Sequence, residues 1–239
     1  IPDLDAVLVP IGGGGLISLP AYLIAGLPPH LAVGTNKLSS PFGTALATYR
    51  FVRAGLVNLK LAVPAVIAAI IGSSIGANIS LLLPEQVMKY VLVIILPVSA
   101  FLVMNKKIFN DQGSDKVTLD RRTNITATVS ALVVGIYDGF YGPGTGTFLI
   151  IAFTVFAKLD LKMANAQAKV INLTTNVTAL TVFLLNGQVL LPLGLASALC
   201  NMIGGYIGAG LAMKNGSKIV KPSILLVLFL LTLKVLGVY

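Results

Sequence analysis

Two lysines stand inside otherwise apolar segments, and each heads a row of hydrogen-bonding side chains. Lys37, Ser40 and Thr44 fall at i, i+3 and i+7 in VGTNKLSSPFGT, and Lys169, Asn172 and Asn176 repeat that spacing in AKVINLTTN. On a helix these offsets share one face, so each segment presents an ammonium followed by donors and acceptors along one stripe. Thr35 and Asn36 extend the first stripe. Such a stripe suits the binding of a small anion, because an ionisable residue inside a membrane segment is by default a functional-site signal. The alternative is that both lysines lie near a helix end and extend their stems to the headgroups.

Glycine-rich runs precede both stripes. GGGGLISLP begins with Gly12 to Gly15, and GPGTGTFLI carries Gly142, Gly144, Thr145 and Gly146. A helix that starts inside a membrane aims its free N–H groups and positive dipole end at whatever lies before it. Gly14, Gly15, Gly144, Thr145 and Gly146 are therefore candidate backbone contacts for an anion; the plainer reading is that these glycines only let helices approach. Neither run is a nucleotide loop, since no GxxxxGK[ST] occurs and the third glycine of a dinucleotide fingerprint is missing. Asp138, in IYDGFYGPG, is either a proton carrier, a helix-end cap or a partner for a lysine. His30, in LPPHL, is expected as an exposed loop residue, and GSSIG (72–76) and GGYIG (204–208) are expected to serve helix packing.

These residues belong to a chain of 239 that is 56% hydrophobic and 10% charged, with mean hydropathy +0.93. Soluble domains carry about 25% charged residues, so the chain reads as an all-α integral membrane protein. Apolar stretches recur at roughly the 20 residues a spanning helix needs, and they lack the alternation of a barrel strand. The net charge of +9 comes from 17 Lys and Arg scattered in short loops; they suit orientation by the positive-inside bias rather than nucleic acid. One Cys and one His leave neither a disulfide nor a zinc cluster, and no cofactor or metal is expected. IPDLDAVLVP has no basic region before a short apolar stretch, and no signal peptide is expected.

The chain also reads as a duplication. A shift of 132 (169 − 37) pairs Lys37 with Lys169, Gly12 with Gly144, Gly55 with Gly187, Gly72 with Gly204 and Lys89 with Lys221. Each half offers four pieces: a broken glycine-rich segment (about 6–26; about 124–157), a polar-striped helix (31–52; 163–185), a small-residue helix (60–83; 190–213) and a plain apolar helix (87–104; 219–237). The expected organisation is a first repeat, 1–104, a cytoplasmic polar linker, 105–123, and a second repeat, 124–239, with about seven to nine helical segments in all. Arg50, Arg53 and Lys60 share the cytoplasmic side with the linker. Lys158 and Lys162 join them if the broken segment enters and returns or crosses twice. That favours inverted repeats with re-entrant helices; parallel repeats are the rival.

GGGGLISLPAYLIAGLPPHLAVGTNKLSSPFGT, YDGFYGPGTGTFL and AKVINLTTNVTALTVFLLNGQV together resemble the TauE/SafE family of bacterial membrane proteins, in particular its YfcA-like branch. The resemblance covers essentially the whole chain. It implies a multi-pass transporter of the bacterial plasma (inner) membrane for sulfur-containing anions such as sulfite, sulfoacetate or other organosulfonates. The expected mechanism is secondary transport by alternating access around an anion bound between the halves. Lys37 and Lys169 would neutralise the anion, and Asp138 is the candidate for proton coupling. An anion channel is the alternative within transport, and a non-transporting scaffold or receptor the alternative outside it. No HExxH, paired acid or Ser/His arrangement supports an enzyme. The partners expected are a small anion, the lipid bilayer and a second copy in a homodimer, with no nucleic acid.

Overall fold

The computed structural model describes residues 15–88 and 120–215, with Tyr90, Val91 and Ile95. Among them are α1 (Gly15–Ile24), α2 (Pro29–Arg53), α3 (Leu59–Leu82), α4 (Arg121–Phe140), α5 (Thr145–Val155), α6 (Leu161–Leu185) and α7 (Leu191–Asn215), with no strand among the described residues. Gly12 to Gly14 and the expected apolar helix at 219–237 lie outside the described residues, as does most of that at 87–104. Helix α4 begins at Arg121, inside the stretch expected to be linker.

The starts are written in short polar side chains that take up the free N–H groups of a first turn. Asn58 accepts from the amides of Lys60 and Leu61, Asp120 from Thr123, and Asp160 from Lys162 and Met163. Helix α2 starts instead on Pro28 and Pro29, where a missing N–H costs nothing.

Helix directions follow from cross-helix contacts. A Cβ built on Gly72 would run into the Leu132 carbonyl, on Gly76 into that of Ile136, and on Gly139 into that of Ser73. Both numbers rise together, so α3 and α4 run parallel, and their backbones touch through small residues as GSSIG predicted. Ser73 Oγ donates to the Thr175 carbonyl and Gln167 Nε2 to that of Asn58, which makes α6 parallel to α3. Helix α2 runs the other way: Lys37 meets Asn176, whereas Thr48 meets the Lys169 carbonyl. The starts of α3, α4 and α6 and the end of α2 therefore share one end, which carries Arg50, Arg53, Lys60, Arg121, Arg122 and Lys162.

Two apolar clusters flank a polar middle. At the basic end Leu61, Ala65, Ala127, Phe153, Leu159, Ala164 and Ala168 pack together; at the far end Leu19, Tyr22, Ala32, Val33, Ala77, Tyr141 and Phe183 do so. Phe153 and Leu159, at and beyond the end of α5, lie at the basic end where α4 began, so α4 and α5 form a hairpin that enters and returns. Leu59–Leu82 and Lys162–Leu185 are long and apolar enough to cross a bilayer. On α3 the isoleucines point outward and the alanines, glycines and serines inward, the arrangement of a helix bathed in lipid.

His30 departs from expectation. It lies in the first turn of α2, 7% exposed, with Nε2 at 2.9 Å from the Ser80 carbonyl. The Pro28-Pro29 pair starts the helix one residue before it, and α3's last turn covers it.

Candidate functional site

The site forms where the α4–α5 hairpin breaks. Helix α4 stops at Phe140, and Tyr141, Gly142, Pro143 and Gly144 reverse the chain before α5. Gly142 and Gly144 take φ of 102° and 86°, a region closed to most side chains. Gly144 caps α5 without a side-chain hydrogen bond, so the positive end of α5 points back into the break. Tyr137 braces it, donating to the Pro143 carbonyl at 2.5 Å while its ring meets Tyr141 and Phe148 edge-on. Gly139 packs on Ser73, fourteen residues into α3 (73 − 59). That places the break about 21 Å along the axis from the basic end at 1.5 Å per residue.

Lys37 enters this break from α2. Its Nζ lies 2.9 Å from Asp138 Oδ2, with both side chains 1% exposed, and a Cβ on Gly142 would sit 2.6 Å from it. Lys37 also donates to Asn176 Oδ1 at 3.3 Å. Asn176 in turn donates to the carbonyl and side-chain oxygens of Asn172 at 2.7 and 3.0 Å. Thr145 Oγ1 stands 2.6 Å from Asp138 Oδ1 and 2.6 Å from the Gly142 carbonyl. Pro41, one turn after Lys37 inside α2, has no N–H for the Lys37 carbonyl, which loosens the helix beside the charge.

Of the residues singled out in the sequence, the structure gathers Lys37, Asp138, Asn172, Asn176, Gly144, Thr145 and Gly146 around the break. It gives Thr35 and Asn36 other tasks: Thr35 Oγ1 accepts from the Leu190 amide at 2.9 Å, and Asn36 Oδ1 accepts from Ser18 at 2.5 Å. The Ser40 carbonyl accepts from Thr44 at 2.9 Å. Gly15 opens α1, and Gly14 lies outside the described residues. Lys169 is 1% exposed, and its carbonyl accepts from Thr48. The two ammonium-bearing residues do not meet at one level. Each stands eight residues into its helix (37 − 29; 169 − 161), but the helices are antiparallel. Lys37 faces Asn176, seven residues beyond Lys169 (176 − 169), an offset of about 10 Å along the axis.

Sequence reasoning passed over Gln167, Ser73 and Tyr141. Gln167 Nε2 donates to the Asn58 carbonyl at 2.8 Å; its place two residues before Lys169, matching Thr35 before Lys37, was the available signal. Tyr141 is fully buried, and its hydroxyl has no hydrogen-bond partner among the described residues.

A helix break holding a buried ion pair between apolar helices agrees with what the comparisons return. The family described as Sulfite exporter TauE/SafE matches residues 6–235. The chain belongs to the TauE/SafE family. A Sinorhizobium protein named Probable membrane transporter protein ORF9 is 37% identical over 95% of this chain and 85% of its own length. Probable membrane transporter proteins of Haemophilus influenzae and Escherichia coli K12, the latter called YfcA, are 32% and 30% identical over 97% and 94% of this chain and 88% and 82% of their own lengths. No solved structure matches. TauE/SafE proteins are a family of membrane transporters, so the helices described above are those of a membrane protein.

Proposed function

We propose that the chain is a multi-pass secondary transporter of the bacterial plasma membrane, moving small sulfur-containing anions such as sulfite, sulfoacetate or other organosulfonates by alternating access. The observation that carries this reading is the buried Lys37–Asp138 pair at the start of α5. Breaking helices inside a membrane and burying a charge pair there are both costly. Together they offer an anion an ammonium, a helix N-terminus and the Thr145 hydroxyl. Lys169, about 10 Å further along the same seam, is a second cation for the path.

Alternating access needs two halves that rock against each other, and inverted repeats supply them. We assign residues 1–104 and 124–239 to the two repeats, with 105–123 as a cytoplasmic linker. Two observations support the duplication and a third its inversion. The shift of 132 carries the limits of α2 onto those of α6 (29 + 132 = 161; 53 + 132 = 185). It also pairs the positive φ of Gly26 with that of Lys158, and that of Gly55 with that of Gly187. Finally, α2 and α6 run antiparallel, and the contact of Thr35 with Leu190 is mirrored by that of Gln167 (35 + 132) with Asn58 (190 − 132).

Thermal shift of the purified protein with sulfite, sulfoacetate, taurine and simple carboxylates tests the site. Sulfite or sulfoacetate is expected to stabilise wild type and to lose its effect in Lys37→Ala and Lys169→Ala. No stabilisation by any of these anions, or variants that respond like wild type, would sink it. Counterflow in proteoliposomes separates the carrier from a channel.

A further inference from the structure

We propose that Asp138 is a built-in substitute for the substrate: its carboxylate occupies the place of the anion on Lys37 and yields it only when it takes up a proton. This rests on the anion site proposed above and adds its ion coupling. The geometry of Thr145 carries it. Its single hydroxyl proton faces two acceptors at equal distance, 2.6 Å to Asp138 Oδ1 and 2.6 Å to the Gly142 carbonyl. With Asp138 ionised the hydroxyl serves only one of them: turned to Oδ1 it leaves the Gly142 carbonyl the Thr145 amide at 3.2 Å, and turned to Gly142 it leaves Oδ1 without its hydrogen bond. With Oδ1 protonated, Asp138 donates to Thr145 Oγ1 and Thr145 donates to Gly142, and both hydrogen bonds are filled. Oδ2 has no hydrogen bond among the described residues and faces the Lys37 ammonium. Protonation therefore keeps this corner satisfied while removing the charge that held Lys37.

The surroundings leave few competing groups. Lys37 reaches Asp138 from α2; Tyr137 and Tyr141 stand beside it at the end of α4; from α6 come Asn176 and, about 10 Å along the axis, Lys169. Helix α5 has no ionisable side chain, and α3 has none beyond Lys60 at the basic end. A buried ammonium that loses its counter-charge needs another, and the start of α5 lies next to it. One sulfonate or hydrogensulfite group, singly charged and rich in acceptor oxygens, restores neutrality. The empty site holds a carboxylate and an ammonium, and the loaded site an acid, an ammonium and an anion. Each singly charged group thus travels with one proton, in the same direction, with no net charge moved.

The test counts protons. Methanesulfonate, which stays ionised throughout the working pH range, is titrated calorimetrically into the full-length protein in two buffers of different ionisation enthalpy. Wild type at pH 7 is expected to take up close to one proton per anion bound, with affinity falling up to tenfold per pH unit on the alkaline side. Asp138→Asn is expected to bind without proton uptake and without that slope. Binding to wild type with no proton uptake overturns the inference while leaving the anion site standing. Uptake that persists in a folded Asp138→Asn also overturns it. If methanesulfonate does not bind wild type, the sulfonate subsite on Lys37 falls, and the transporter reading falls with it only if sulfite and sulfoacetate also fail the thermal shift. The wild-type count decides even if the variant does not fold.

Discussion

At the scale of single residues, the ion pair of Lys37 and Asp138 dominates. Both side chains are 1% exposed, so neither charge can turn to water if the other is removed. Lys37→Met leaves a buried carboxylate whose hydrogen-bond partner among the described residues is the Thr145 hydroxyl, and breaking a buried pair in this way typically costs about 3–5 kcal/mol. Lys37→Met with Asp138→Leu removes both charges and is expected to recover most of the loss. Thermal unfolding of the three proteins in detergent checks this, and a single variant no less stable than the double one would deny that the pair is a pair. Asp120 is a contrasting carboxylate outside the membrane. The Thr123 amide, 2.7 Å from Oδ1, holds its carboxyl below the usual aspartate range. A depressed folded pKa means that the cap is at full strength above the ordinary value of about 3.9 and is lost as pH falls through the folded value. Amide protection in the first turn of α4 is expected to drop on acidification below about pH 4, and Asp120→Ala is expected to lack that step. Asp138 was visible in the sequence as one acid in an apolar segment, with three roles open. Its partner was not visible, because Lys37 lies 101 residues earlier (138 − 37) and reaches it only through the antiparallel pairing of α2 with the other helices.

At the scale of elements, glycine does two different things, and only one was easy to read. GSSIG announced close packing, and the structure brings Gly72 and Gly76 against the backbone of α4 while Gly135 and Gly139 of α4 face Ala69 and Ser73. A methyl group added at Gly76 or Gly139 meets a main-chain carbonyl, which cannot swing aside as a side chain would. Gly76→Ala and Gly139→Ala are each expected to lower stability by about 1–3 kcal/mol or more by forcing the helices apart. Gly26→Ala, in a loop with open space around its α carbon, is expected to cost less, through its positive φ alone. Melting temperatures of the three variants give the order, and equal losses would mean that backbone contact between α3 and α4 is not what holds them. Gly142 and Gly144 serve a turn instead. The sequence showed a break there but not its depth, which depends on how far α4 runs along α3 before it stops. His30 failed in the other direction: two prolines signalled a loop, whereas Pro28 and Pro29 open a helix whose first turn lies under α3.

At the scale of the whole molecule, the charge pattern and the helix directions bear on the same question from independent sides. Lysines and arginines flank the linker, the α2–α3 loop and the start of α6, and the positive-inside bias assigns them all to the cytoplasm. The packing sets the end of α2 and the starts of α3, α4 and α6 at one end of the bundle, as Asn124 reaching the Lys60 carbonyl and Gln167 reaching that of Asn58 require. Both hold only if α4 and α5 together enter the membrane and come back; a single crossing by that segment would carry Lys162 to the opposite face. With Cys200→Ser removing the native thiol, single cysteines at Lys60, Lys162 and Asn186 report the sides, since all three positions are exposed. An impermeant thiol reagent on intact cells is expected to label Asn186→Cys, and to label Lys60→Cys and Lys162→Cys only after the membrane is opened. Labelling of Lys162→Cys with Asn186→Cys protected would make the halves parallel. The α4–α5 hairpin would then be wrong, and with it the depth of about 21 Å at which Lys37 meets Asp138.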